Sequence, residues 1–363
     1  MCDGVAEAVS RKLCAAYIHA YGEIRHHNVD KALLVGGQSR VRFGGGDIDA
    51  GMRLIVAGRA DALPQANAVS ELVVEAASEY LAQTIGAAAA LFEVESAVRQ
   101  GSPNLRRVLA TRAAVARAND TSFGTGFAPY SKLENAVLQL AERLGSEEFR
   151  QAFPAAGADF KVMGARHDER FDFTVALAFI SSEVQDVEHY FALKEAMSAW
   201  LKAGLPQPAE LHVNTLDDPQ AQEESGIYLT VTGLSAEHGD DGQVGRGNRV
   251  SGLITPSRPM SLEAAAGKNP VSHVGKIYNV LAMRMAADLV ALVPEFEEAS
   301  VQLLSAIGQP IAYPKLLSIE AALLSGKSIT PSTCRTVEEV VQRGLGHIEE
   351  LCGQLACGEL RVY

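Results

Sequence analysis

Residues 237–279 are the most informative stretch of the sequence and read EHGDDGQVGRGNRVSGLITPSRPMSLEAAAGKNPVSHVGKIYN. Closely spaced glycines allow the backbone to approach an anion and to present its amides to it. Five basic residues lie among these glycines, namely Arg246, Arg249, Arg258, Lys268 and Lys276. Their side chains offer the positive charge that a polyphosphate ligand requires.

The same stretch contains an adjacent pair of acids, Asp240 and Asp241. Carboxylates are hard oxygen ligands for Mg²⁺, which usually links one or two of them to substrate phosphates. The glycines, the basic residues and this pair together predict a site for a magnesium nucleotide or a polyphosphate. The alternative is a solvated loop with surface salt bridges. A Walker A loop is excluded because Asn269 follows the Gly-Lys pair where that motif requires Ser or Thr.

The rest of the 363-residue chain has an ordinary globular composition, with 47% hydrophobic and 21% charged residues, which excludes a disordered or coiled-coil protein. The net charge of −12 argues against general binding of nucleic acids or anionic membranes, although it leaves room for a local basic site. Five cysteines without a CxxC pair indicate reduced thiols. We find neither a signal peptide nor a membrane span, so we expect a cytoplasmic protein.

Apolar periodicity and the positions of Gly and Pro predict helices and strands without a regular β-α-β order. Helices are predicted over residues 1–21, 69–84, 131–143, 187–202, 273–292 and 336–356. Strands are predicted over residues 31–43, 52–58, 91–98, 161–163, 171–179, 211–213, 227–231 and 299–307, and the segments 31–43 and 52–58 are expected to be broken by Gly pairs. No GxGxxG follows a strand, so a Rossmann fold is disfavoured and an α+β fold with mixed or antiparallel sheets is favoured.

Two further polar segments are candidates for ligand binding. In ANDTSFGTGFAP (118–129), Asp120 is placed to hold a ligand amine, and the alternative is an Asx or ST turn that closes a hairpin. In HHNVD (26–30), adjacent histidines rarely bind one metal together, so a packing role is favoured. The segments 43–49 and 99–105 read as turns. No Ser/His/Asp order, HExxH motif or activated cysteine is apparent.

Several motifs together closely resemble the archaeal-type S-adenosylmethionine synthetases (methionine adenosyltransferases). They are DGVAEAVSRKL, HHNVD, LVGGQSRVRFGGG, ANDTSFGTGFAP, KVMGAR, VNTLDDP and the 237–279 stretch. The resemblance extends from Asp3 to the C-terminal ELRVY, and it implies a single unit over residues 1–363 with three interleaved α/β subdomains. It also implies formation of S-adenosylmethionine from ATP and L-methionine, with release of phosphate and pyrophosphate.

The resemblance further implies Mg²⁺ as cofactor, leaves K⁺ open as a second cation, and implies a homodimer or homotetramer with active sites between subunits. Motif by motif, it assigns Lys268 and Arg246 to the triphosphate, Asp240 to the adenosine or metal region, and Asp120 to the methionine ammonium. Asp241 joins Asp240 as a candidate metal ligand, and Asn28 or Asp30 is assigned to a monovalent-cation or substrate site. The other candidate substrate-binding residues are Arg99, Gln100, Gly101, Ser102, Pro103, Asn104, Arg249, His273 and Lys276.

Two departures from the family pattern affect the expected activity. Family members carry ERKGxGHPD immediately before the CDG of this chain, and that segment supplies a phosphate-contacting histidine, a magnesium ligand and a first strand. We expect that the start has been assigned too late, so the 363-residue chain should turn over little and an upstream-extended form much more. The alternatives are a nucleotide-binding homologue or regulatory subunit without catalysis, and, disfavoured by the acidic charge, a phosphate- or RNA-binding protein. In the second departure, Ala97, Arg99 and Asn104 differ from the family's usual residues.

Overall fold

The computed structural model describes residues 1–101 and 116–363. Within them the helices are Cys2–Tyr21 (α1), Ala68–Ile85 (α2), Lys132–Leu144 (α3), Glu147–Ala152 (α4), Val187–Lys202 (α5), Val274–Leu292 (α6), Pro331–Gly346 (α7) and Ile348–Cys357 (α8). The strands are His27–Val35 (β1), Gln38–Arg42 (β2), Gly45–Ala50 (β3), Met52–Ala60 (β4), Phe92–Arg99 (β5), Phe123–Ala128 (β6), Ala156–His167 (β7), Arg170–Ile180 (β8), Ala209–Val213 (β9), Leu229–Thr230 (β10), Gly242–Gln243 (β11), Phe296–Leu304 (β12) and Leu316–Leu323 (β13).

These strands form three larger sheets and one hairpin. The first sheet has the order β11-β1-β4-β5, the second the order β10-β8-β7 with β9 also paired to β8, and the third the order β13-β12-β6. The β4–β5, β8–β9 and β8–β10 pairs are parallel, whereas the other ladders are antiparallel. The predicted α+β fold with mixed and antiparallel sheets is therefore confirmed.

Each larger sheet packs one face against helices and has its own buried apolar cluster. In the first sheet, the alternate residues Met52, Leu54 and Val56 of β4 lie under α1 and α2. Phe173, Val175 and Leu177 of β8 are buried in the second cluster with α3 and α5, and Val301 and Leu303 of β12 in the third with α6. The period-two burial of the strands explains why one face of each sheet remains open.

The third sheet depends on a close contact between β6 and α6. A Cβ atom at Gly124 would lie 2.2 Å from the carbonyl carbon of Tyr278, and one at Gly126 would lie 2.1 Å from the amide nitrogen of Met283. Only glycine allows this approach, which accounts for the spacing in FGTGFA. The contact also brings the preceding Asp120 segment close to the start of α6.

Several predicted boundaries are wrong. The helix predicted over 336–356 is two helices, because the chain leaves helical geometry at His347 between α7 and α8. In contrast, the predicted break of the 31–43 segment at a Gly pair is confirmed, because the close-packed Gly36 and Gly37 separate β1 from β2. The last predicted strand, 299–307, lies three residues earlier as β12. None of the helices in the described ranges has the length and apolar character needed to cross a membrane.

Candidate active site

One edge of the first sheet carries a row of basic side chains. At this edge β1 begins while β4 and β5 end, so that Asn28 pairs with Arg59, and Arg59 pairs with Arg99. On the other side of Asn28, an isolated bridge joins it to Lys268. Paired residues of a ladder project to the same face, so Arg59 and Arg99 lie side by side. We call these four residues the cationic edge.

The two arginines of the cationic edge are available to a ligand. Both side chains are exposed, and among the described residues each guanidinium donates only to the carbonyl oxygen of the residue before it, at 2.9 Å for Arg59 and 3.0 Å for Arg99. Within the described part of the chain neither forms a salt bridge. Their charge is therefore not neutralised by a neighbouring carboxylate in these ranges, which favours an anionic ligand.

Lys268 differs from the arginines because it is buried and paired. Its ammonium contacts the carboxylate of Asp30, which also accepts from Lys31 Nζ at 2.7 Å. Burial alone would raise the pKa of Asp30, but attraction by Lys268 and Lys31 outweighs it and lowers the pKa to about 2. Asp30 is therefore ionised at neutral pH and keeps the Lys268 ammonium at the cationic edge.

His273 lies next to this ion pair at the start of α6. Burial, together with repulsion by the Lys268 ammonium, lowers the pKa of His273 to about 3, so the ring is neutral at physiological pH. Its Nδ1 accepts from the amide of Gly275 at 3.2 Å, which assigns the ring proton to Nε2. His273 is thus suited to donate one neutral hydrogen bond.

The turn that contains Asp120 meets the same region. The amide of Asn119 donates to the carbonyl oxygen of Ser272 at 3.1 Å, immediately before His273. Asp120 is exposed, and its Oδ1 accepts from the amide of the next residue, Thr121, at 2.7 Å. An Asx turn would instead use the amide of Ser122, which donates to Ser305 Oγ at 2.9 Å. Within the described residues its second carboxylate oxygen has no hydrogen-bond donor. Asp120 therefore does not form an Asx turn, and its role as a ligand-binding residue remains a prediction.

Three buried polar atoms around this region have no hydrogen-bond partner among the described residues. They are His26 Nδ1, Asn28 Oδ1 and Asn119 Oδ1. Buried polar atoms are nearly always paired, so a group of unpaired ones indicates a place where polar atoms of a ligand or water bind. In contrast, the neighbouring His27 is fully paired through Ser10 and Asn269, which is the packing role favoured from the sequence.

The glycine-rich loop at Gly245–Arg249 presents Arg246 to solvent. Its backbone is held by Asp3, whose Oδ1 accepts from the amide of Gly245 at 2.9 Å. Arg249 closes the loop from within, since its Nη2 contacts the carbonyl oxygen of Gly245 and donates to that of Gly247 at 2.7 Å. Arg249 therefore serves the loop in this structure, whereas the exposed Arg246 is the side chain left for a ligand.

Two other predicted cations are also occupied by carboxylates. Lys276 is fully buried, and its Nζ donates to both oxygens of Glu7 at 2.7 and 2.9 Å. Arg258 binds Glu134 at 2.9 Å and lies over the ring of Phe127 at 4.4 Å. In this structure both side chains hold elements together, and the role of Lys276 as a phosphate ligand remains a prediction.

Asp240 and Asp241 lie at the opposite end of β1 from the cationic edge. Asp241 Oδ1 accepts from the amide of Gly36 at 2.9 Å, six residues beyond Asp30. At roughly 3.3 Å per residue the two acids are about 20 Å from Asp30 along the strand. Asp240 is exposed and close to Tyr228, where burial and the carboxylates of Asp159 and Asp240 raise the pKa of the tyrosine to about 12.

The donor set at this end of β1 fits a weakly held magnesium ion. One oxygen of Asp241 is used by Gly36, which leaves its second oxygen and the exposed carboxylate of Asp240. One or two carboxylates suffice for Mg²⁺ when phosphate and water supply its other ligands. Within the described ranges, the one group of three His, Cys or acidic side chains close enough to share a metal is Asp172, Glu210 and His212, which is exposed on the second sheet.

The remaining predicted residues follow β5. Gln100 is exposed and Gly101 is buried, next to Arg99 at the cationic edge. Ser102, Pro103 and Asn104 lie outside the described residues. Arg59, Asp3 and Glu7 were not among the residues predicted from the sequence. Arg59 could have been found from the two strands that end in an arginine, RLIVAGRA and FEVESAVR. Pairing them in parallel places Arg59 and Arg99 next to each other at the same end of the sheet.

The profile of the family described as S-adenosylmethionine synthetase (AdoMet synthetase) matches residues 1–359. The chain belongs to this family.

Curated S-adenosylmethionine synthetase relatives agree over most of their length. The S-adenosylmethionine synthase of Pyrococcus furiosus is 47% identical over 338 residues, which cover 90% of this chain and 83% of the relative. That of Aeropyrum pernix is 41% identical and covers 100% of this chain and 92% of the relative. A probable S-adenosylmethionine synthase of Aquifex aeolicus is 43% identical, with 94% and 86% covered.

Among solved structures, an unusual S-adenosylmethionine synthetase from Campylobacter jejuni has a similar fold. The TM-score is 0.59 at 15% sequence identity, and the match covers 97% of this chain and 96% of the other. At that identity the similarity concerns the fold alone.

Proposed function

We propose that the protein is a methionine adenosyltransferase, which forms S-adenosylmethionine from ATP and L-methionine and releases phosphate and pyrophosphate. Family membership and relatives named as S-adenosylmethionine synthases support the reaction. The single structural observation that carries it is the cationic edge. We place the reaction in the cytoplasm, because the cytoplasm supplies ATP.

The chemistry of the reaction matches the groups at this edge. The methionine sulfur attacks C5′ of ATP with a lone pair that it already has, so no general base is needed. The leaving triphosphate carries about four negative charges, and stabilising it is an electrostatic task for preorganised cations. Arg59, Arg99 and Lys268 supply such charge. The Oδ1 of Asn119, which has no donor among the described residues, accepts from a polar hydrogen of the substrate.

We further propose Mg²⁺ at Asp240 and Asp241, where it would neutralise phosphate charge. We propose K⁺ as an accessory cation near Asn28, whose buried Oδ1 lacks a donor among the described residues. Asp120, one of whose carboxylate oxygens has no donor in those ranges, is proposed to bind the methionine ammonium. Arg246 is proposed to bind the triphosphate from the glycine-rich loop.

We propose a homodimer whose active sites are shared between subunits, with a homotetramer as its further assembly. In one chain Asp240 is about 20 Å along β1 from Asp30 and Lys268, which is too far for one magnesium triphosphate to reach both. The open faces of the sheets carry exposed apolar side chains at Leu33 and Met163. A second copy would cover these faces and bring its own acids to the cationic edge. We infer that each sheet with its helices is one subdomain.

The first test is S-adenosylmethionine formation from ATP, L-methionine and Mg²⁺. We expect the Lys268→Ala and Asp240→Ala variants to lose about 100-fold or more of the rate of the unmodified protein. Leu216→Ala, at an exposed loop position, is the matched control. Absence of product from the unmodified protein, or near-normal rates in both variants, would contradict the proposal.

The second test is complementation between those two inactive variants. If Lys268 and Asp240 belong to sites shared across a dimer, co-expressed Lys268→Ala and Asp240→Ala chains form heterodimers with one intact site. Activity should then return to about a quarter of the normal rate, since half of randomly mixed dimers are heterodimers. If each chain holds its own complete site, every site keeps one substitution and no activity returns.

A further inference from the structure

Helix α1 carries a buried polar stripe on one face. Asp3, Glu7 and Ser10 are spaced four and three residues apart, so their side chains line up along the helix. All three are buried, with 9%, 4% and 1% of their surface exposed. Acids are almost never buried in this way unless they are paired, so their partners indicate what the stripe does.

The partners of the stripe are the two loops that carry the candidate phosphate-binding cations. Asp3 accepts from the amide of Gly245 at 2.9 Å, next to Arg246. Glu7 accepts from the amide of Gly267 at 3.0 Å, next to Lys268. The two carboxylates lie about 6 Å apart along the helix axis at 1.5 Å per residue. One rigid helix therefore fixes the separation of both loops.

Lys268 is held from two sides. Ser10 donates to its carbonyl oxygen at 3.2 Å, while Asp30 holds its ammonium. Gly267 has φ +75°, and a Cβ atom there would lie 2.1 Å from the carbonyl oxygen of Val29. The backbone before Lys268 is thus placed between α1 and β1 with little freedom to move.

The charge of Glu7 is balanced inside the protein. Lys276 donates to both of its oxygens, and both side chains are almost fully buried. An unpaired carboxylate beside the Lys268 loop would oppose the binding of a triphosphate to that loop. The Glu7 carboxylate, paired with Lys276, contributes a hydrogen-bond acceptor without net charge. This arrangement suits Glu7 to orient a loop rather than to touch a substrate.

We propose that Asp3 and Glu7 are positioning residues of the anion site: by holding the amides of Gly245 and Gly267, they set the places of Arg246 and Lys268. The inference rests on the proposed function, because it concerns the same site. Neither carboxylate acts on the substrate directly. Removing either acceptor frees one loop, and the cation on that loop loses its preorganisation for phosphate.

The experiment measures binding of inorganic tripolyphosphate to the 363-residue chain by calorimetry, with amide hydrogen exchange at Gly245 and Gly267. Asp3→Ala should weaken binding about tenfold and speed exchange at Gly245, as expected for loss of a charge-assisted hydrogen bond. Asp3→Asn retains an acceptor oxygen and should stay within about threefold of the unmodified chain. Asp217→Ala, which removes a buried acid paired with Lys194 in the second sheet's cluster, is the control that lowers stability without changing affinity.

Glu7 is tested with a conservative variant, because complete removal of its carboxylate leaves Lys276 buried without a partner. Glu7→Ala should weaken tripolyphosphate binding about tenfold and speed exchange at Gly267. Glu7→Gln keeps an acceptor oxygen for the amide of Gly267, so exchange there should stay near normal and affinity should return to within about threefold. Weak binding with normal exchange at Gly267 in Glu7→Gln would overturn the positioning role and assign the effect to the charge of the Glu7–Lys276 pair.

The outcomes separate this inference from the proposed function. Tripolyphosphate affinity does not depend on turnover, so a chain that binds it without forming S-adenosylmethionine still tests the positioning role. If the unmodified chain binds no tripolyphosphate, the anion site of the proposed function is rejected. Hydrogen exchange at Gly245 and Gly267 then tests by itself whether Asp3 and Glu7 hold the two loops. Unchanged exchange at both glycine amides in the alanine variants overturns the inference.

Discussion

At the scale of single residues, the Asp30–Lys268 pair links the stability of the fold to the candidate site. Both side chains are buried, so the pair is stable only while each charge has its partner. An incoming phosphate competes with Asp30 for the Lys268 ammonium. The contact that stabilises the fold therefore also opposes the binding of phosphate by Lys268.

This pair predicts a measurable dependence of stability on pH. Asp30 has a folded pKa of about 2 against an ordinary value of 3.8, so its ionised form stabilises the fold above the higher value. That contribution, about 2 kcal/mol, is lost as the pH falls from about 5 towards 2. In Asp30→Asn, the loss of unfolding free energy across this pH range should be smaller by about that amount.

The measurement is urea unfolding at a series of pH values. Lys31→Met is the control, because Lys31 is the exposed partner of Asp30 and its removal should leave most of the pH dependence. An Asp30→Asn chain with the same acid limb as the unmodified chain would contradict the assignment.

At the scale of secondary-structure elements, the close approach of α6 to β6 determines where the Asp120 turn lies. Gly126→Ala places a methyl group against the backbone of α6, and we expect a loss of about 2–3 kcal/mol in unfolding free energy. Gly353 lies exposed inside α8 with no neighbour near its would-be Cβ, so Gly353→Ala should instead raise it by about 0.5–1 kcal/mol.

Thermal and urea unfolding of the two variants check this prediction together. Both exchange one glycine for alanine, so a difference in sign isolates the backbone contact from the change in composition. If both substitutions stabilise the chain, the helix does not pack on the strand as closely as described.

The elements themselves were largely predictable from sequence, because their signals are local. The apolar spacing of residues 1–21 and 187–202 predicted α1 and α5, and Gly204 and Pro206 correctly predicted an end to α5. The break at His347 was missed although Gly344 and Gly346 precede it, because the apolar spacing continues through them and was given more weight than the glycines. The strand β6 was interpreted as a turn, since its glycines are explained only by the helix that packs on them.

The candidate site was predictable only in part, because its contacts join distant residues. Lys276 was assigned to phosphate from its place in a basic stretch, yet its partner Glu7 lies 269 positions away. Arg249 was likewise identified by charge, while its role in closing a loop depends on carbonyl groups whose direction the sequence does not reveal. Composition predicted an anion site, and three-dimensional pairing decides which of its cations remain available.

At the scale of the whole molecule, the open faces of the sheets predict self-association. Met163 lies on β7 with 63% of its surface exposed, whereas Leu216 lies in a loop with 98% exposed. If a second copy covers the sheet face, Met163→Asp places an unpaired charge in that interface and should shift the protein from dimer to monomer.

Sedimentation velocity over a range of protein concentrations measures this shift. Leu216→Asp is the matched control, because it adds the same charge at an exposed apolar position outside the sheets. A monomeric unmodified chain, or a dimer that both substitutions leave intact, would be evidence against association through this face.

The attachment of α1 to the glycine-rich loops also bears on the order in which the molecule is made. Asp3 and Gly245 are 242 positions apart, and Glu7 and Gly267 are 260 apart. At a synthesis rate of about 5–20 residues per second, α1 waits roughly 10–50 s for the loops that its acids bind. Until then both carboxylates lack their native partners. The anion site is therefore among the last parts of the protein to assemble. If synthesis stops before residue 245, Asp3 and Glu7 of α1 lack the two loop amides that they bind in the complete chain.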